Sequence, residues 1–242
     1  MKPLVTVITP TTGSHQLYNV LASVNNQTYS NIEHIVVADG PQYSNVTQGM
    51  LEGSQALLIQ LPYNTGHSQY NGHRIYGAMS YIANGDYLCF LDQDNWYENN
   101  HIESRVDVIQ QGNDWAYSLR KIVSQEGRYI CNDDCESLGK WNSVINDKFI
   151  DVNCFMIPKM AAINFSPYWY RRARHPQEQP EVDRILSPYM MQTQTEFDTN
   201  GQYTINYRVA SRGDSVQAEF FLKGNEVMKK QYNGDLPWTK KT

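Results

Sequence analysis

The segment Gly85-Asp86-Tyr87-Leu88-Cys89-Phe90-Leu91-Asp92-Gln93-Asp94-Asn95 constrains this chain most, because a short apolar strand runs directly into two carboxylates spaced i, i+2 and a carboxamide. A strand end delivers such oxygens together into one crevice. Clustered oxygen ligands without thiol or imidazole suit a hard divalent cation such as Mn²⁺ or Mg²⁺. Asp92 and Asp94 are therefore candidate metal ligands, beside the plainer reading of an acidic turn that merely terminates a strand.

The residues leading up to this segment alternate between two periods. Val- and Ile-rich runs at Val5 to Pro10, Glu33 to Ala38, Ala56 to Leu61 and Tyr87 to Leu91 read as strands, and helical patterns at Gln16 to Gln27 and Asn71 to Ala83 lie between them. That order predicts an α/β fold with a Rossmann-like, mostly parallel sheet flanked by helices. Ligands of such sheets bind beyond the carboxyl ends of the strands. Pro10, Asp39, Asn64 and Asp92 all fall at or just past strand ends, so one crevice is expected to gather them.

Two familiar phosphate-binding solutions are missing. The turn after the first strand reads Thr9-Pro10-Thr11-Thr12-Gly13-Ser14, with one glycine where a dinucleotide fingerprint needs three, and no Gly-Lys-Ser/Thr follows any strand. Backbone alone is then a poor cradle for phosphates, which strengthens the case for a cation. The formal net charge of −5 excludes the broad basic field of a nucleic-acid or anionic-membrane binder. No apolar run reaches the roughly 18 residues of a membrane span. The start Met1-Lys2-Pro3 lacks a signal-peptide pattern, so a cytoplasmic location is expected. Cys89, Cys131, Cys135 and Cys154 fit neither a disulfide framework nor a paired zinc site, and reduced thiols are expected.

Four segments in order, Leu4 to Thr12, Ile32 to Gly40, Asn64-Thr65-Gly66 and Gly85 to Asn95, resemble the signature of family 2 glycosyltransferases with the GT-A fold. The resemblance is firm over residues 1 to about 100. It implies that Thr9, Pro10, Thr11, Asp39, Asn64, Gly66, Arg74, Asp92 and Gln93 meet the nucleotide-sugar, and that Asp94, with Asp92, holds the metal bridging its diphosphate. It further implies a single domain over 1–242, with a nucleotide-sugar half (1–100) and a smaller mixed or antiparallel acceptor-side half (101–242). The activity implied is metal-dependent, inverting transfer from a nucleoside diphosphate sugar, a UDP-sugar being the first choice, to a carbohydrate or other hydroxyl acceptor. A nucleotidyltransferase that makes a nucleotide-sugar and a catalytically silent nucleotide-sugar-binding module are the alternatives. The sugar, the acceptor and whether the chain forms a homo-oligomer stay open.

The second half is expected to hold a helix ending near Gln111 with Asn99 or Asn100 as its N-cap, and a strand from Trp115 to Val123 pairing antiparallel with Arg128 to Cys131 around Gly127. A strand from Phe149 to Ile157 and a short helix, Lys159 to Phe165, follow. Tyr170 to Pro180 is basic and proline-bearing without apolar periodicity, which reads as a mobile lid-like loop. Transfer to a hydroxyl needs a general base. Asp183, in Pro180-Glu181-Val182-Asp183-Arg184, resembles the family's acidic motif and is the first candidate, a helix-start carboxylate the alternative reading, and Glu181 and Asp151 the reserves. Many relatives carry a histidine after a Tyr-Arg-Val strand, whereas this chain reads Tyr207-Arg208-Val209-Ala210-Ser211-Arg212-Gly213-Asp214-Ser215, which leaves Arg212 or Ser215 to meet phosphate. His67, His73 and His101 lack chelating spacing and are expected at the crevice rim or in caps.

Overall fold

The computed structural model describes residues 2–67, 70–170, 182–210 and 215–239. The first half alternates as β1 (Val5–Thr11), α1 (Leu17–Asn25), β2 (Ile32–Ala38), α2 (Pro41–Met50), β3 (Leu57–Gln60), α3 (His73–Ile82) and β4 (Tyr87–Phe90). All four strands are parallel, with β2 and β4 on either side of β1 and β3 outside β2. Every residue of β1 is buried, as expected of a central strand covered on both faces. The α1 helix buries Leu17, Val20, Leu21 and Val24, an i, i+3, i+4, i+7 stripe facing the sheet.

The helix α2 escapes a reading by apolar periodicity because its only fully buried residues are Ser44 and Thr47. Its start is nonetheless encoded. Gly40 takes φ 128°, a conformation side chains other than glycine rarely adopt, and Pro41 follows at the first helical position.

After β4 come β5 (Trp96–Tyr97), α4 (His101–Gln110), β6 (Trp115–Tyr117), β7 (Leu119–Val123), β8 (Tyr129–Asn132), a 3₁₀ turn (Val152–Cys154) and β9 (Phe155–Pro158). Next are α5 (Lys159–Phe165), a second 3₁₀ turn (Ser166–Tyr170), α6 (Val182–Thr193), β10 (Phe197–Asp198), β11 (Tyr203–Arg208) and α7 (Ala218–Gln231). Among the described residues, the large sheet runs β10-β6-β9-β4-β1-β2-β3 and a second sheet runs β5-β11-β7-β8. Only β9 runs against its neighbours in the large sheet, pairing antiparallel with both β4 and β6.

Two expected strands are corrected. Trp115 to Val123 is not one strand: it breaks at Ser118, whose N–H goes to Cys154 O at 3.1 Å, so β6 joins the large sheet and β7 the second. The expected antiparallel partner is present, since β7 pairs with β8. Phe149 to Ile157 is likewise strand only from Phe155. Asp151 caps the 3₁₀ turn before β9 by accepting the Asn153 N–H at 3.0 Å, and the bend replaces strand alternation with a turn that puts Asp151 on the crevice and Asn153 buried against Asp92. Asn100, as expected, is the α4 N-cap, though its side chain donates to Gln202 Oε1 and makes no capping bond. The lid-like segment expected at 170–180 lies, apart from Tyr170, outside the described residues.

The core beneath the strand ends is aromatic. Trp169 packs against Tyr76 and Phe90 at centroid distances of 5.4 Å each, and Tyr76 meets Phe90 edge-on at 5.0 Å. This cluster holds α3 against β4. All four cysteines are free thiols.

Candidate active site

A cleft of about 800 Å³ opens beyond the carboxyl ends of β1, β2 and β4. Of the residues expected to meet a nucleotide-sugar or metal, Pro10, Thr11, Asp39, Asn64, Gly66, Asp92, Gln93 and Asp94 line it, and so does Asp183 from the first turn of α6. Two do not. Thr9 lies within β1, and its hydroxyl bonds His34 Nε2 at 3.1 Å in the interior. The cleft begins one residue later, at Pro10, where β1 reaches its carboxyl end. Burial pushes the His34 imidazole down to about 4, so this partner is neutral. Arg74, in the first turn of α3, instead packs its guanidinium over Tyr70 at 3.8 Å and donates to Thr65 O at 3.2 Å.

Asp39 organises one side. Its Oδ1 accepts the Thr65 N–H at 2.6 Å and the Thr65 hydroxyl at 2.8 Å, while Oδ2 accepts the Gly66 N–H at 2.9 Å and the Asn64 amide at 3.1 Å. The motif Asn64-Thr65-Gly66 is therefore a clasp around one carboxylate. Gly66 has no room for a side chain, because a Cβ there would lie 2.4 Å from Asn71 O and 2.9 Å from Asp39 Oδ2.

The acidic segment sits at the end of β4, and its three side chains go different ways. Gln93 turns back to the end of β1, where its Oε1 accepts the Thr11 hydroxyl at 2.8 Å and the Thr12 N–H at 2.9 Å. It is thus a brace between two strand ends. Asp92 is held from both sides: Oδ1 accepts the Tyr76 hydroxyl at 2.6 Å and Oδ2 the Asn153 amide at 2.9 Å. Burial raises the Asp92 carboxyl above its ordinary range, the negative charge of Asp94 adds to this, and the Tyr76 and Asn153 hydrogen bonds oppose it. The carboxylate of Asp94 accepts no hydrogen bond from the described residues, although Arg208 Nε donates to its backbone carbonyl at 3.0 Å.

No cluster of three or more His, Cys, Asp or Glu suited to a metal occurs among the described residues. Two carboxylates still fit Mn²⁺ or Mg²⁺, which commonly bind through one or two carboxylates plus substrate phosphates. Asp94, with both oxygens unengaged, is the better placed, and each Asp92 oxygen keeps one lone pair beyond its single bond.

Behind Asp92 lies a buried ionic network. Asn153 links Asp92 to Asp151, donating to Asp151 Oδ1 at 2.7 Å, and Asp151 Oδ2 accepts Arg120 Nη1 at 2.6 Å. Arg120 also pairs with Asp133 at 2.8 Å and with Glu136, and Glu136 in turn takes Arg184 Nη2 at 2.5 Å. Buried charge on this scale is tolerated only when so fully paired. Asp151 lines the cleft but is committed to Arg120, which makes it a poor reserve base, and Glu181 and Arg212 lie outside the described residues.

His101 is not at the rim. It is buried, stacked on Tyr97 at 4.0 Å, and its Nδ1 meets Thr204 Oγ1 at 2.7 Å. His73 does line the cleft, and His67 lies 3.4 Å from Arg74 Nη1. Ser215, an expected phosphate contact, also reaches the cleft.

Sequence reading missed Tyr76, Arg120 and Arg208, and it offered Asn153 only as a residue that could face the crevice beside Asp151. Arg208 ends β11, lines the cleft, and is 5% exposed, with its backbone N–H on Asn95 Oδ1 at 2.9 Å. An arginine closing the strand Tyr203–Arg208 was the available signal. Tyr76 carries no such signal, and only the fold brings it and Asn153 to Asp92.

The family model described as Glycosyl transferase family 2 matches residues 6–172. The chain belongs to that family. An uncharacterized glycosyltransferase of Rickettsia bellii (strain RML369-C) is 29% identical over 135 residues, covering 53% of this chain and 19% of that relative, so the chain spans about a fifth of the relative's length. Among solved structures, S. aureus TarS 1–349 in complex with UDP superposes with a TM-score of 0.63 at 14% identity, over 96% of this chain and 67% of that one. The mannosyltransferase PcManGT from Pyrobaculum calidifontis, in complex with GDP-Man and Mn²⁺, matches with a TM-score of 0.58 at 12% identity, over 88% of this chain and 59% of that one. At such identities the likeness is one of fold. This family 2 chain has the expected GT-A architecture, a large and mostly parallel sheet flanked by helices.

Proposed function

We propose that this family 2 chain is a metal-dependent, inverting glycosyltransferase that moves a sugar from a nucleoside diphosphate sugar, a UDP-sugar in the first instance, to a hydroxyl acceptor. One observation carries the reading: the Asp94 carboxylate, unengaged by any described donor, shares a single cleft with Asp39 on the β2 side and Asp183 on α6. The relatives solved with UDP and with GDP-Man and Mn²⁺ are consistent with it, each for its own chain.

In this reading Pro10, Thr11 and the Asp39 clasp hold base and ribose. Asp94, with Asp92, would hold Mn²⁺ or Mg²⁺, which would supply positive charge against that developing on the leaving diphosphate. Arg208 adds a fixed positive charge at the same strand end, and a guanidinium suits phosphate oxygens. Asp183 takes the proton from the acceptor hydroxyl as that oxygen attacks the anomeric carbon. The bond to the diphosphate breaks in the same displacement, so configuration inverts. Residues 1–100 form the donor half and 101–242 the acceptor half of a single functional domain, and Arg208, from the second half, reaches across to the donor's phosphates.

Thermal-shift measurements with UDP-, GDP-, dTDP- and CDP-sugars, each with and without Mn²⁺, test base and metal together. A ligand that binds only the folded chain raises stability by about 2.7 kcal/mol at a hundred times its dissociation constant. The expected result is a shift with UDP-sugars that needs the metal, and no shift with any of the panel would overturn the proposal.

A further inference from the structure

A second cavity of about 260 Å³ adjoins the cleft and shares Asp151, Asp183, Arg184, Tyr207 and Val216 with it. Its two sides differ in chemistry. One is apolar, formed by Phe149, Phe220, Ile145 and Val216, and the other carries Glu136, Asp151 and Asp183 against Arg120 and Arg184. Glu136 and Asp151 are both paired to Arg120, and Glu136 also to Arg184. Asp183 forms no ion pair among the described residues. Among the described residues the charge left over at the cavity is therefore negative: both guanidiniums are paired with carboxylates, although Arg184 Nη1, itself buried, has no hydrogen-bond partner.

Resting on the transferase reading above, the geometry points to this cavity as the acceptor subsite, shaped for an uncharged, pyranoside-sized acceptor. The ring's apolar face lies against Phe220 and Ile145 and the reacting hydroxyl is directed at Asp183. An aromatic and aliphatic wall favours burial of a sugar's C–H face. An acceptor bearing a carboxylate would meet Asp183 with no unpaired lysine or arginine among the described cavity residues to neutralise it, so the site discriminates by repulsion as well as by fit.

The test uses the full chain with UDP-glucose, UDP-galactose and UDP-N-acetylglucosamine in the presence of Mn²⁺, and reads UDP release. Methyl pyranosides of neutral hexoses are compared with the matching uronic acids. The neutral glycosides are expected to accelerate release and the uronic acids not. Ile145 is 54% exposed, so Ile145→Asp is expected to fold, and it should raise the half-saturating glycoside concentration by about tenfold or more, the scale of a lost apolar pocket contact. Phe220→Ala should do the same. Equal acceleration by uronic acids, no acceleration by neutral glycosides, or a wild-type response from Ile145→Asp would each overturn the inference while donor turnover persists. A chain that neither binds nor turns over any nucleotide-sugar fails the underlying reading instead, and this one with it.

Discussion

Asn153 and Asp92 are locked together by a reciprocal pair of hydrogen bonds, the Asp92 N–H to Asn153 Oδ1 at 2.7 Å and the Asn153 amide to Asp92 Oδ2 at 2.9 Å. The first acidic residue of the strand end is thereby fixed in both backbone and side chain by a turn some sixty residues later. Tyr76 fixes its other oxygen. Groups of this kind orient metal ligands without touching the metal.

Tyr76→Phe removes one of those bonds while preserving the ring that packs on Phe90 and Trp169. Metal-dependent UDP affinity is expected to fall by about 10–100-fold, the usual cost of losing such an orienting group. Titration of UDP at fixed Mn²⁺ reads this directly. Undiminished affinity would show that Asp92 needs no orientation from Tyr76.

The clasp around Asp39 makes a second case. In Asp39→Asn, one acceptor oxygen becomes a donor facing groups that already donate, the Thr65 and Gly66 N–H among them. A mismatched buried group costs ~1–3 kcal/mol, so both melting temperature and UDP affinity should drop. Loss of stability with intact UDP affinity would confine Asp39 to a structural role.

Asp183 is separable from a mere helix-start carboxylate. Its Oδ1 accepts only the N–H of the next residue, Arg184, at 3.0 Å among the described residues, so little helix capping is lost with it. As a general base, Asp183→Asn should cut turnover by about 10²–10⁴ with donor affinity nearly unchanged. A helix-start role predicts near-normal turnover and a stability loss of about 1 kcal/mol at most. Turnover and melting temperature measured on the same variant decide between the two.

His34 supplies a pH signature. Its folded-state pKa is pushed from the ordinary 6.5 down to about 4 by burial, so the unfolded chain takes up the proton first as pH falls. Its stabilising contribution is fully present above pH 6.5 and is lost progressively toward pH 4, by up to about 3 kcal/mol. His34→Gln, which keeps a polar partner for Thr9, should flatten the melting-temperature profile across that window. An unaltered profile would assign the acid sensitivity elsewhere.

The strand ends were legible because they obey strong local rules. Buried parallel strands such as β1 read as apolar runs, and the short polar turns after them can hardly be anything but crevice residues. Legibility failed where tertiary structure overrides local pattern. Ser118 divides the expected strand Trp115–Val123 between two sheets, Asp151 bends the chain ahead of β9, and Thr9 turns inward to His34 although the next residue, Pro10, lines the cleft. Gln93 falls in the same group, lining the cleft yet bonded to Thr11 and Thr12. Arg120 was invisible for a different reason, since its carboxylate partners come from two separate segments of the chain, the turn holding Asp133 and Glu136 and the one at Asp151.

The most direct test of the account is isothermal titration of UDP, with and without Mn²⁺, into wild-type chain and into Asp94→Ala. Asp94 ends a strand on the cleft and fills no core, so the variant is expected to fold and to lose the Mn²⁺-dependent part of UDP binding. Mn²⁺-dependent affinity equal to wild type in a folded Asp94→Ala chain would reduce the acidic segment to a turn and contradict the account.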